Sequence, residues 1–269
     1  MPAPTPAPPS TVVLCQTDIV WENKAANHEK VSTLLAQSGP PPRSLIVLPE
    51  MFATGFSMEV KRVREEHPAE TESYLASLAR QYDSYVVGGV VNAAGSGRGR
   101  NEAVIFSPMG KLMGRYAKIH PFGIGQDNES MHYNGGEEIV SFAWENVTVC
   151  PFICYDLRFP EVFRLGLNKG AHVFVVIANW PEVRIGHWVA LLRARAIENQ
   201  AYVVAVNRCG EDPKNIYPGR SMIVDPMGEI VVELGAEEAV TKFEISMERL
   251  LAWRLDFPAL NDRKRGYGL

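Results

Sequence analysis

The chain has 269 residues, 46% of them hydrophobic and 22% charged, an ordinary globular composition with enough length to bury a substantial core. A net charge of -4 gives no ground for expecting nucleic acid or an anionic membrane as a partner. No apolar run approaches the roughly 20 residues that a membrane-spanning helix needs, and four cysteines without zinc spacing do not make a disulfide scaffold.

The first ten residues are proline-rich, with neither a basic stretch nor an apolar one, and read as a disordered leader at 1–10 rather than a signal peptide. Residues 11–18 form an apolar run suited to a buried strand. Residues 23–37 have helical spacing, with Val31, Leu34 and Leu35 apolar, and the prolines that follow cannot continue a helix. SLIVLPE, at 44–50, is an apolar strand ending at Glu50. After a loop come a helix at 71–82 and a strand at 84–92. Residues 101–108 and 111–119 then predict a hairpin around Met109 and Gly110, which ends near Lys118.

Residues 120–135 are too polar and glycine-rich for a packed element, and loops of that length in compact domains are usually functional. Two strands flank Glu145 and Asn146, and the second ends at Cys154. A helix at 160–169, a strand at 171–180, a helix at 186–200 and a strand at 201–208 follow. The remainder is β-rich from 221 to 245 and closes on a short helix. Alternation of strands and helices predicts an α/β fold, and hairpins at 101–118, 138–154 and 221–245 predict mixed sheets. No repeat, linker or charge block divides residues 11–269, which read as a single domain.

Three ionisable residues close three apolar strands: Glu50, Lys118 and Cys154. Singly, each has an ordinary explanation as a turn acid, a surface cation or a core thiol. Together they are chemically complete. A thiol is mostly protonated at neutral pH and needs a base, which a carboxylate supplies. An ammonium can hold the oxyanion of a tetrahedral intermediate, helped by the backbone N–H of Tyr155. The set describes acyl transfer through a thioester. A histidine base would have to come from His120 or His132 in the loop after Lys118, and no motif ties either to Cys154.

The stretches LPEMFATGF, GRYAKIHPF and ICYDLRFPE, with ANWP and ARAIENQAYVVAVNR, resemble the sequence blocks of the nitrilase (carbon–nitrogen hydrolase) superfamily. The resemblance runs from about residue 11 onward. It implies a nitrilase-type αββα sandwich, catalytic Glu50 as base and acid, Lys118 as oxyanion stabiliser and Cys154 as nucleophile, with no metal and no organic cofactor. It also implies that Glu129 orients the lysine or assists water activation. Asp156, Arg158 and Glu161 are expected to brace the loop after Cys154 through ion pairs.

Within the superfamily the blocks look most like the omega-amidase branch, which implies a small-molecule amide substrate: the terminal amide of a short 2-oxo dicarboxylic acid. Such a substrate needs a cation for its free carboxylate, and Arg184 and His187 are the candidates. Phe56, Tyr155, Phe122 and Trp180 are expected to wall a small dry pocket, and Arg220 to alter either the pocket or a subunit contact. The resemblance further implies a homodimer. The sparse cysteines favour a reducing cytoplasm.

Overall fold

The computed structural model describes residues 10–125 and 128–264. The leader lies outside the described residues except for Ser10, which opens β1 (Ser10–Gln16). Then come α1 (Lys24–Ser38), β2 (Leu45–Val47), α2 (Val60–Val63), α3 (Glu70–Gln81), β3 (Tyr85–Ala93), β4 (Gly99–Phe106) and β5 (Leu112–Ala117). The second half holds β6 (Phe142–Trp144), β7 (Val147–Ile153), α4 (Pro160–Asn168), β8 (Val173–Ala178), α5 (Ile185–Asn199) and β9 (Tyr202–Asn207). It ends with β10 (Cys209–Glu211), β11 (Ile216–Pro218), β12 (Met222–Val224), β13 (Ile230–Glu233), β14 (Ala239–Ile245) and α6 (Met247–Asp256).

Local chemistry sets these boundaries. The Asn23 side chain accepts from the Ala26 N–H to start α1, and Gly39, with φ 56°, ends it in the left-handed conformation. Pro160 opens α4, where its missing N–H costs nothing.

Among the described residues there are two six-stranded sheets, ordered β14-β1-β2-β3-β4-β5 and β13-β12-β9-β8-β7-β6. β1, β2 and β3 run parallel, as do β7, β8 and β9, with antiparallel strands outside them. Alternation along β1 sorts its side chains by face. Val12 and Leu14 join Val47, Ile105 and the second sheet's Val149 and Val175 in the central core. Val13 and Cys15 point the other way, into a cluster with Val31 and Leu35 of α1 and Leu75 and Leu78 of α3. The far face of the second sheet is covered by Val162 and Phe163 of α4, Trp188 and Leu192 of α5 and Leu250 of α6. Each such fully buried apolar side chain stabilises the fold by about 1.5–3 kcal/mol relative to exposure. This is the αββα sandwich with mixed sheets that the sequence implies.

The stretch 221–245 departs from expectation. β12 and β13 form a hairpin with a register shift at Ile223 and Val224, but β14 leaves that sheet. It pairs antiparallel with β1 in the other, from Ser10 opposite Ile245 to Gln16 opposite Ala239. The β10–β11 ribbon and the short α2 are likewise absent from the sequence reading. No helix among the described residues is long and apolar enough to cross a membrane.

Candidate active site

The three strand ends meet between the sheets. Glu50 follows β2 in a sharp turn whose next residue, Met51, has φ 44°. β3 presses directly on that turn: a Cβ at Gly89 would lie 2.3 Å from Met51 N and 2.6 Å from Glu50 Cα, so only glycine fits. Lys118 extends β5, its N–H donating to Asn101 O at 2.9 Å and its carbonyl accepting from Gly136 N at 2.8 Å. Gly136 can approach that closely because a Cβ there would meet Ala117 O at 2.4 Å.

Cys154 directly follows β7 with φ 45°, a conformation that is strained for any side chain larger than glycine, and a 3₁₀ turn spans Cys154–Arg158. The fully buried Asp156 carboxylate secures this turn. It accepts from Ile153 N at 3.2 Å, Tyr116 Oη at 2.8 Å and His120 N at 2.9 Å, and it faces His120 Nδ1 at 2.8 Å. Bracing therefore runs through hydrogen bonds to β5 and its following loop, not through ion pairs with Arg158 or Glu161. Glu161 is exposed on α4.

Glu50, Lys118 and Glu129 form one buried cluster, with at most 1% exposure for any of them. Lys118 Nζ lies 2.9 Å from Glu50 Oε1 and 2.7 Å from Glu129 Oε2. Glu129 Oε2 also accepts from Phe122 N at 2.7 Å. Asn101, on β4, donates through Nδ2 to Glu50 Oε1 at 2.6 Å and to Glu129 Oε1 at 2.8 Å. The opposite sheet contributes Asn179, just beyond β8. Its N–H donates to Glu50 Oε2 at 2.8 Å, its side-chain amide donates to Glu50 O at 2.9 Å, and its carbonyl lies 3.9 Å from Cys154 Sγ.

Electrostatics follow from burial and these neighbours. Burial alone would discharge Lys118, but the carboxylates of Glu129 and Glu50 outweigh it and hold the ammonium well above its usual pKa. Burial raises the Glu129 carboxyl, with Lys118 opposing and Glu50 adding to the rise. Burial, then the charge of Glu50, pushes the Cys154 thiol well above the thiol range, only partly offset by Lys118. The resting thiol is neutral.

Cys154 opens into a small cavity. Phe56, Phe122, Tyr155, Trp180 and Tyr217 supply its aromatic wall. Phe122 and Tyr155 meet edge to face at 5.1 Å, and Lys118 Nζ lies 5.3 Å from the Phe56 ring centre. Arg158 and Arg184 both line the cavity. The Arg158 guanidinium sits 4.9 Å over Trp180, and that of Arg184 sits 5.3 Å over Phe122. His187 does not line it; its Nδ1 lies behind, 3.3 Å from Arg158 Nη1. Arg220 is also remote, paired with Glu233 at 2.5 Å. His120 stacks on Phe159 at 3.7 Å and His132 is exposed, and neither lines the cavity.

Sequence reasoning thus names the cluster's ionisable members and most of the wall, and it misses Asn101, Asn179, Tyr217 and the cavity-facing position of Arg158. Asn179 carries the same signal as the other three, a polar residue ending an apolar strand. Asn101 carries none, because a neutral amide at the start of a strand reads as surface.

The family model described as Carbon-nitrogen hydrolase matches residues 11–255. The chain is 31% identical over 256 residues to a 2-oxoglutaramate amidase of Bacillus subtilis (strain 168), covering 95% of this chain and 98% of that one. It is 36% identical over 253 residues to the omega-amidase YafV of Escherichia coli (strain K12), covering 93% and 95%. Among solved structures, a CN-hydrolase superfamily protein of Xanthomonas campestris, with an arsenic adduct in its active site, superposes with a TM-score of 0.89. That match has 31% identity and covers 97% of this chain and 99% of the other. With its αββα sandwich and its buried Glu50 and Lys118 beside a cavity-lining Cys154, the chain belongs to the carbon–nitrogen hydrolase family, as an amide hydrolase of the nitrilase superfamily.

Proposed function

We propose that this amidase is of the omega-amidase type, hydrolysing the terminal amide of short 2-oxo dicarboxylic acid monoamides, 2-oxoglutaramate and 2-oxosuccinamate, to the 2-oxo acid and ammonia. The observation that carries the reading is that Cys154 and two guanidiniums, Arg158 and Arg184, share one small aromatic cavity. The cavity is narrow and walled mainly by aromatic side chains, which suits a short acyl chain. A free substrate carboxylate drawn into that cavity needs a paired cation, and arginine pairs with carboxylates bidentately. The names of the two relatives point the same way.

In this mechanism Glu50 takes the thiol proton as Cys154 Sγ attacks the amide carbon, and the carbonyl electron pair moves to oxygen. Lys118 spends two of its three N–H donors on Glu50 and Glu129 and gives the third to the oxyanion, beside the N–H of Tyr155. Collapse re-forms the carbonyl and breaks the C–N bond while Glu50 passes its proton to nitrogen, so ammonia leaves and a thioester remains. Water then gives a proton to Glu50 and attacks the thioester. The second collapse breaks C–S, and Cys154 recovers its proton from Glu50. Because the resting thiol is neutral, deprotonation accompanies attack instead of preceding it.

The test compares ammonia release from 2-oxoglutaramate, a neutral amide of equal length, glutamine, an N-carbamoyl amine and a nitrile, with intact-protein mass spectrometry to trap the acyl group on Cys154. The anionic oxo-amide is expected to give the highest kcat/KM and a Cys154 adduct. Preference for the N-carbamoyl amine, or full activity in Cys154→Ala, would overturn the reading. The proposal includes a homodimer, supported by the exposed Ile197, Leu251, Leu255 and Phe257 along α5, α6 and the residue after α6, and checked by light scattering. It also includes a cytoplasmic location, supported by four free thiols.

A further inference from the structure

We propose that Asn101 is a positioning residue for the base, holding the Glu50 and Glu129 carboxylates at a fixed separation with the two protons of a single amide. Its Nδ2 is 2.6 Å from Glu50 Oε1 and 2.8 Å from Glu129 Oε1, and the side chain is buried. A primary amide nitrogen has two hydrogens, and both are committed. Two buried carboxylates facing one cation would otherwise drift together or share a proton. The amide blocks both outcomes because it offers each acid a hydrogen and accepts nothing through that nitrogen.

The rest of the cluster makes Asn101 the only uncharged tie between the two acids among the described residues. Lys118 bridges them through charge, Asn179 reaches Glu50 alone, and Phe122 N reaches Glu129 alone. Tyr133, whose ring packs nearby, donates its hydroxyl to Ser57 O and to neither acid. The backbone doubles the constraint: Asn101 O accepts the Lys118 N–H at 2.9 Å, so one residue sets both the lysine's strand end and the spacing of its counter-ions. Asn101 Oδ1 is buried with no partner, an arrangement kept because turning the amide over would present an acceptor to two acids.

The inference rests on Glu50 acting as base for Cys154, and the experiment separates the two ideas. Asn101→Ala removes both donors, and Asn101→Asp removes both and adds a third acid. Either change leaves the Glu50 carboxylate without its Asn101 donor. The acid limb of kcat/KM against pH is expected to move upward by about one unit in Asn101→Ala and further in Asn101→Asp, with kcat down about 10- to 100-fold and KM within a few-fold. The pH dependence of Cys154 alkylation by iodoacetamide, read by mass spectrometry, should shift in the same order. That readout needs no substrate, and circular dichroism confirms that each variant is folded. A loss of rate with unmoved pH limbs would overturn the positioning role. If Glu50→Gln left the alkylation profile of the otherwise native chain unchanged, the base assignment itself would fail.

Discussion

Replacing Glu129 by glutamine keeps the shape of the buried cluster and removes one charge. The carboxylate accepts from Asn101 Nδ2 at 2.8 Å through one oxygen, and from Lys118 Nζ and Phe122 N, both at 2.7 Å, through the other. Glutamine has a single acceptor atom. Its better orientation leaves the oxygen toward Lys118 and Phe122, and sets its own NH₂ against the NH₂ of Asn101, so one donor loses its partner. Lys118 then keeps a neutral contact where it had a charged one. A charge-assisted hydrogen bond contributes about 1.5–3 kcal/mol. At about 1.36 kcal/mol per tenfold in rate, kcat should fall about 10- to 150-fold if Lys118 supports the transition state. The assay is ammonia release at saturating amide, with the acyl-enzyme followed by mass. Glu50→Gln, which removes the proposed base, should cost more, up to ~10⁴-fold. A Glu129→Gln enzyme within about threefold of wild type would refute the reasoning, and so would one as inactive as Glu50→Gln, since Glu129 would then share the base's role.

Arg158→Ala and Arg184→Ala are each expected to raise KM for the anionic oxo-amide about 10-fold or more while leaving a neutral amide unaffected, as steady-state kinetics on the pair of substrates will read. Gly89→Ala drives a methyl into the Glu50 and Met51 backbone, so it should cost about 1–3 kcal/mol in urea unfolding and depress kcat as well. The raised Cys154 thiol makes a pH-dependent contribution. A folded pKa above the unfolded one gives stability that is complete below the ordinary thiol value of ~8.5 and is lost as pH rises toward the folded value. The wild-type Tm should therefore fall relative to that of Cys154→Ala between roughly pH 8 and pH 10. A constant difference over that range would contradict the upward shift of the thiol.

Much of the architecture was legible because burial leaves a local trace. β2 and β7 are apolar runs that stop at a polar residue, and the stop is where the chemistry lies. The spacing in α1 and α3 marks their core faces. What escaped notice depends on choices the chain makes at long range. β14 is half-exposed along most of its length, and such a strand reads the same whether it extends the β12–β13 hairpin or crosses to β1. Arg158 and His187 lie close together, yet only the fold decides which of them faces the cavity. Glu129 is named through the family resemblance, but nothing in its polar, glycine-rich stretch signals its burial, which comes from Lys118, Asn101 and Phe122 N supplying three donors at once.

The crossing of β14 also bears on how the chain is made. Seven residues of β1 pair with β14, and 222 residues separate the end of the first from the start of the second. On a ribosome, β1 can meet β2 early, but its outer edge stays open until β14 has emerged. An open apolar edge is a template for the wrong partner, including the same edge on a neighbouring nascent chain. Emergence of β14 should therefore be the step that covers the open edge of β1.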